Sequence, residues 1–210
     1  MNREKKQLIR DRWDVMEGLI EGKSVLDLGC VDHEAENEVN KEWLHRKVRG
    51  SAGDVLGIDY QEADVQQLKD KGYNVQVGNV ESLDLNRTFD VITAGNIIEH
   101  VSNPGLFLDS VRRHMDDNSL FLLTTDNCFG LRSLKAVTFK DGINPNDEHV
   151  ATYEEEVLTQ LFERHGFDVV NFYYYNGPYP NPWKEKLINF LCKIRKSFAW
   201  QMLVIAKRKQ

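Results

Sequence analysis

Short apolar runs that suit buried strands alternate along the chain with longer amphipathic stretches that suit helices. The runs at 23–30, 54–59, 74–77, 89–94, 120–125, 167–175 and 200–206 read as strands. Between them, apolar positions at helical spacing predict a helix over 2–20, with Leu8, Trp13, Met16 and Ile20 inward and Lys6, Arg10 and Arg12 on the wet face. Further helices are expected at about 40–48, with Trp43, Leu44 and Val48 inward, and at 62–71, with Val65 and Leu68 inward and Gly72 as the stop. Ser102 reads as the cap of a helix over 103–114, with Pro104 tolerated in its first turn. An apolar helix candidate spans 131–137, and Thr152-Tyr153-Glu154-Glu155 reads as a capping box before Val157, Leu158, Leu161 and Phe162. Strands alternating with helices predict an α/β fold around a largely parallel sheet.

The chain has 210 residues, of which 41% are hydrophobic, enough for one α/β domain with a sizeable core. A net charge of -6 argues against nucleic acid as the main partner, because a basic footprint carries that contact. Cys30, Cys128 and Cys192 are odd in number and widely spaced, which suggests neither a disulfide framework nor a metal knuckle, and no metal site is expected. No apolar leader or membrane-length run is visible, so a cytoplasmic protein is the default expectation.

The chemistry gathers at strand ends. Asp27-Leu28-Gly29 closes the first strand and Asp59 closes the second, and in a parallel sheet those ends open onto one crevice. A carboxylate there can accept two hydroxyl hydrogen bonds, as a ribose diol requires. The residues after Gly29 are Cys30, Val31, Asp32 and His33, where a diphosphate site needs glycines, so an NAD-dependent oxidoreductase is disfavoured. The acids Asp32, Glu34, Glu36 and Glu38 suit a ligand without phosphates that carries a free amine. At the third strand's end Asn79 either bonds its own backbone in a turn or reaches an adenine edge, with Val80 flat on the ring.

As an ordered set, Val25-Leu26-Asp27-Leu28-Gly29-Cys30, Gly57-Ile58-Asp59, Gly78-Asn79-Val80-Glu81, Phe89-Asp90-Val91-Ile92 and Ile98-Glu99-His100-Val101 resembles the class I S-adenosylmethionine-dependent methyltransferases, nearest the small-molecule and glycan branch, over about 23–170. The resemblance implies a Rossmann-like, seven-stranded, mostly parallel sheet flanked by helices, with the last strand antiparallel. It implies S-adenosylmethionine as cofactor, with Asp27, Gly29 and Cys30 by the methionine part, Asp59 and Tyr60 by the ribose, Asn79 and Val80 by adenine, and Ala94 beside the sulfonium. It implies methyl transfer to a small-molecule or glycan acceptor, most simply at a hydroxyl oxygen. A non-catalytic binding subunit on the same fold is the alternative.

A hydroxyl acceptor calls for a base, and His100 and His149 can both reach the crevice mouth, though either also suits packing or capping. Tyr173, Tyr174, Tyr175 and Tyr179 are candidates to line an acceptor pocket, or in part the core. Between the last two strands, an inserted segment at about 178–196 carries Trp183 and a basic helix with Leu187, Ile188, Phe190, Leu191 and Ile194 on one side. That stripe packs on the domain or a second copy in a homodimer, or lies on an anionic membrane surface.

Overall fold

Side chains along each central strand alternate between two apolar layers, and this builds a sheet covered on both faces. Leu26 and Leu28 enter one layer with Ile92, Ala94, Phe121 and Leu123, while Val25 enters the other with Val91 and Leu122. The computed structural model describes residues 6–32, 35–139, 148–177 and 182–210. Its elements in chain order are β1 (Gln7–Leu8), α1 (Trp13–Ile20), β2 (Ser24–Leu28), α2 (Leu44–Ser51), β3 (Asp54–Asp59), α3 (Glu62–Asp70), β4 (Val75–Val77) and β5 (Val91–Gly95). They continue with α4 (Pro104–Arg113), β6 (Leu120–Asp126), α5 (Leu131–Phe139), α6 (Glu155–Arg164), β7 (Phe167–Tyr175), α7 (Pro182–Ile194) and β8 (Gln201–Arg208).

The strands lie in the order β1-β7-β8-β6-β5-β2-β3-β4, with β8 antiparallel to both neighbours. The sheet therefore has the expected mixed form, but with eight strands among the described residues instead of seven. The eighth comes from a stretch expected to be helical: Gln7 and Leu8 pair in parallel with Tyr173 and Tyr174, so α1 begins only at Trp13. A hydrogen-bonded edge outweighed the local apolar period there.

Met16 and Ile20 of α1 and Val48 of α2 cover one face. On the other, Phe107 of α4 and Phe162 of α6 meet Phe121, with the Phe121 and Phe162 rings stacked at 5.6 Å. Two helix caps differ from the sequence reading. Asn103, not Ser102, caps α4 through Leu106 N–H at 3.0 Å. Glu154 caps α6 by accepting from Val157 N–H at 2.7 Å and Glu156 N–H at 3.0 Å, so the expected capping box is replaced by a single acid one residue before the helix. Tyr173, Tyr174 and Tyr175 are buried in the layers around β7, where the Tyr174 hydroxyl donates to Glu155 Oε2 at 2.6 Å. Tyr179, His33 and the polar residues 144–147 lie outside the described residues.

Candidate active site

Parallel pairing levels the carboxyl ends of β3, β2 and β5, with Leu28 opposite Ile58 on one side and Ala94 on the other. A cavity of about 680 Å³ opens over these ends, within the range usual for small-molecule sites. Gly29 makes the turn out of β2 at φ +73°, and its N–H and that of Cys30 both donate to Ile58 O. A Cβ at Gly29 would lie 2.8 Å from Ile97 Cδ1 and push that side-chain end aside, and the left-handed backbone itself favours glycine.

That turn aims Val31 N–H at Asp59 Oδ2, 3.0 Å away, while Gln61 N–H donates to Oδ1 at 3.2 Å. Burial raises the Asp59 pKa above its usual range, and the amides of Val31, Gln61 and Tyr60 oppose the rise. Two amides fix the carboxylate, and each oxygen keeps capacity for a further donor. Burial likewise pushes up the Cys30 thiol, with the charges of Asp27 and Asp59 adding to it, so Cys30 serves as a wall and not as a nucleophile. Its carbonyl accepts from Trp43 Nε1 at 2.8 Å.

Of the residues singled out from the sequence, Gly29, Cys30, Asp59, Tyr60, Asn79, Val80, His100 and His149 line this one cavity. Asn79 Oδ1 is occupied by Glu81 N–H at 2.9 Å, the turn geometry that was one of its two readings. Asp27 and Ala94 do not line the cavity. Asp27 is buried beneath it on the α2 side, accepting from Thr93 Oγ1 at 2.5 Å and from His45 Nδ1 at 2.8 Å.

Arg12, expected on a wet helix face, lines the cavity instead, and its Nη1 donates to Thr124 Oγ1 at 3.2 Å. Sequence reasoning also missed Glu99. This acid is buried after β5; Thr125 Oγ1 donates to its Oε2 at 2.9 Å, and its Oε1 has no direct hydrogen-bond partner. Burial pushes its pKa up to about 7, with its own backbone N–H, the Thr125 hydroxyl and the Asn96 amide opposing and Asp126 adding. The Glu99 carbonyl accepts from Val150 N–H at 2.9 Å and Ala151 N–H at 3.3 Å. That clasp returns the long connection to the cavity and brings His149 edge-on to His100, with ring centroids 4.6 Å apart.

The model of a family described as a methyltransferase domain matches residues 1–171. The chain belongs to the methyltransferase-domain family. A probable S-adenosylmethionine-dependent methyltransferase of Mycolicibacterium smegmatis is 27% identical over 153 residues, covering 70% of this chain and 53% of that protein. The (S)-tetrahydroprotoberberine N-methyltransferase of Eschscholzia californica is 25% identical over 103 residues, covering 49% of this chain and 29% of that protein. This methyltransferase domain thus spans about half or less of the curated relatives it matches. The crystal structure of a methyltransferase dependent on the same cofactor from Archaeoglobus fulgidus superposes with a TM-score of 0.63 at 19% identity, covering 94% of this chain and 91% of that one. The fold is that of the class I enzymes, and membership assigns S-adenosylmethionine as the cofactor.

The donor set fits that cofactor. Asp32, Glu42, Asp59, Glu81, Asp126 and Glu148 line the cavity against Arg12 and Arg132. An acid-rich wall suits a ligand whose sulfonium and ammonium outweigh one carboxylate, and it repels a diphosphate.

Proposed function

We propose that this protein transfers a methyl group from S-adenosylmethionine to an oxygen of a small-molecule or glycan acceptor. The observation that carries the reading is the convergence of His100 and His149 with Asp59 on one acid-rich cavity. Asp59 holds the ribose hydroxyls, the turn at Gly29 and Cys30 faces the methionine part, and Arg12 is available to the cofactor's carboxylate. Val80 addresses adenine together with the Asn79 amide nitrogen, since Asn79 Oδ1 is held by Glu81 N–H. When bound, the cofactor supplies a methyl carbon on a sulfonium, which passes to the acceptor oxygen as the C–S electron pair returns to sulfur.

The remaining work falls to the chain: holding the acceptor oxygen in line, excluding water and removing the hydroxyl proton. That proton leaves beside His100 and His149. Purified protein incubated with methyl-labelled cofactor and a panel of glycans, phenols and carboxylic acids tests this directly. A labelled hydroxyl product is expected, with turnover about a hundredfold lower in His149→Ala and cofactor affinity unchanged. Tight cofactor binding with no product from any acceptor favours a non-catalytic binding subunit.

The acceptor reading extends to α7. Its inner side packs Ile188 and Cys192 on the core, yet Trp183, Leu187, Phe190 and Ile194 are 60–80% exposed in one stripe. Lys184, Lys186, Lys193, Arg195 and Lys196 surround it, all exposed. No helix among the described residues is long and apolar enough to cross a membrane. A basic helix with an aromatic flank lies in the plane of an anionic surface, which suits a lipid-linked acceptor. Cosedimentation with anionic vesicles at low salt is expected, weaker at high salt and in Leu187→Glu. Recovery of the wild-type protein in the supernatant at low salt assigns the stripe to another partner, such as a second copy.

A further inference from the structure

We propose that Glu99, His100 and His149 bind one divalent transition cation of the Mn²⁺, Co²⁺ or Zn²⁺ class. Each offers one ligand atom to the cavity, and these atoms all lie within 4.8 Å of one another. An ion about 2.1 Å from each donor needs them somewhat closer together, a closure of about an ångström within reach of side-chain rotation.

The independent sign is Glu99 itself. Its side chain is buried at 1% exposure, and although its own backbone N–H and the Asn96 amide lie near the carboxyl, Oε1 has no hydrogen bond of normal geometry, an arrangement that costs a folded protein stability unless something else satisfies the oxygen. A cation held between that oxygen and two imidazoles does so. The supporting layer is in place: Thr125 Oγ1 donates to Oε2 and fixes the carboxylate, as outer hydrogen bonds do at metal sites. The Glu99 carbonyl, clasped by Val150 N–H and Ala151 N–H, ties the segment bearing His149 to the segment bearing His100.

Two imidazoles and a carboxylate form a nitrogen-rich donor set, which selects transition cations over the oxygen-seeking Ca²⁺ and Mg²⁺. Three protein ligands leave coordination positions open, the arrangement of reactive and not of purely structural sites. Asp126 and Glu148 line the same cavity and make it more attractive to a cation. On the methyl-transfer reading, from which this part of the inference follows, an open position takes the acceptor hydroxyl and favours loss of its proton. The imidazoles then serve as ligands, and the proton leaves to water instead of to a ring nitrogen.

Protein freed of metal by a chelator is titrated with Co²⁺, read by its visible absorption and by calorimetry, and then with Zn²⁺ in competition. One Co²⁺ per chain is expected, with a spectrum of nitrogen and oxygen ligation. Affinity should fall at least tenfold in Glu99→Gln and His149→Ala, and tenfold or more in Thr125→Val, which leaves all three ligands in place. Circular dichroism identifies any variant that fails to fold, and the three variants fail independently. No stoichiometric uptake, or uptake unchanged in all folded variants, overturns the site. If the chelated protein still turns over a hydroxyl acceptor, the ion's part in the reaction is refuted while methyl transfer stands. If Co²⁺ binds as described but no acceptor is methylated, the site stands and the acceptor reading falls.

Discussion

Replacing Asp27 by alanine separates a residue that supports the cavity floor from one that touches the cofactor. Its carboxylate takes hydrogen bonds from Thr93 Oγ1 at 2.5 Å and His45 Nδ1 at 2.8 Å, and the Asp27 and His45 side chains are 2% and 0% exposed. Leaving the buried Thr93 hydroxyl and the His45 ring N–H without their shared acceptor costs about 3 to 5 kcal/mol in all, at about 1 to 3 kcal/mol for each unpaired donor. The His45 side has no reserve, because His45 Nε2 is already buried without a partner. In a domain of this size each kcal/mol lowers Tm by about 2 to 4 °C, so a fall of about 6 to 20 °C is expected. Asp27→Asn keeps one acceptor and should fall between alanine and wild type. Urea unfolding with an unchanged m-value gives the free energy, and calorimetry on the folded variant gives cofactor affinity. Asp27 does not line the cavity, so that affinity should change less than tenfold. A Tm within about 2 °C of wild type, combined with a hundredfold loss of cofactor affinity, would make Asp27 a direct ligand and refute this reasoning.

Two further expectations follow from the packing. His114 Nε2 accepts from Leu85 N–H at 2.9 Å while Nδ1 donates to Ser110 O at 2.8 Å, an arrangement that needs the neutral ring, and burial lowers its pKa. Because the unfolded chain binds that proton first, the stabilising contribution of neutral His114 is complete above about pH 6.5 and is lost as pH falls through that value toward the folded pKa. The urea midpoint should therefore drop on acidification more steeply than in His114→Gln; parallel curves would contradict the assignment. Gly29→Ala combines a left-handed backbone with a Cβ 2.8 Å from Ile97 Cδ1. It should lose about 1 to 2 kcal/mol from the backbone alone and weaken cofactor binding through the displaced Ile97; unchanged stability and affinity would show that the turn relaxes freely.

Much of the sheet was legible because its strands are apolar runs closed by acids and glycines. Asp54–Asp59 and Phe167–Tyr175 have the bounds read from the sequence, and Asp59 stands at the crevice as its position at a strand end implied. What could not be read depends on long-range pairing. Gln7 and Leu8 join the sheet through Tyr173 and Tyr174, and His149 meets His100 only because Val150 N–H bonds the Glu99 carbonyl across the fold. Asp27 does not line the cavity for a local reason: strand alternation puts it on the face opposite Leu28, toward His45, a signal present in the sequence beside its closeness to Gly29. The three tyrosines of β7 were candidates for an acceptor pocket, but their side chains are buried in the two apolar layers and none lines the cavity.

The central claim is that the acid-rich cavity over β2, β3 and β5 binds S-adenosylmethionine with Asp59 on the ribose. Isothermal calorimetry of the cofactor and its demethylated product, on wild type and Asp59→Ala side by side, tests it most directly. One saturable site is expected in the wild type. The variant should bind about 1 to 3 kcal/mol more weakly, as charge-assisted hydrogen bonds are lost, a roughly five- to 150-fold change in Kd. Absence of binding to the wild type, or equal affinity in a folded Asp59→Ala protein, would contradict the account.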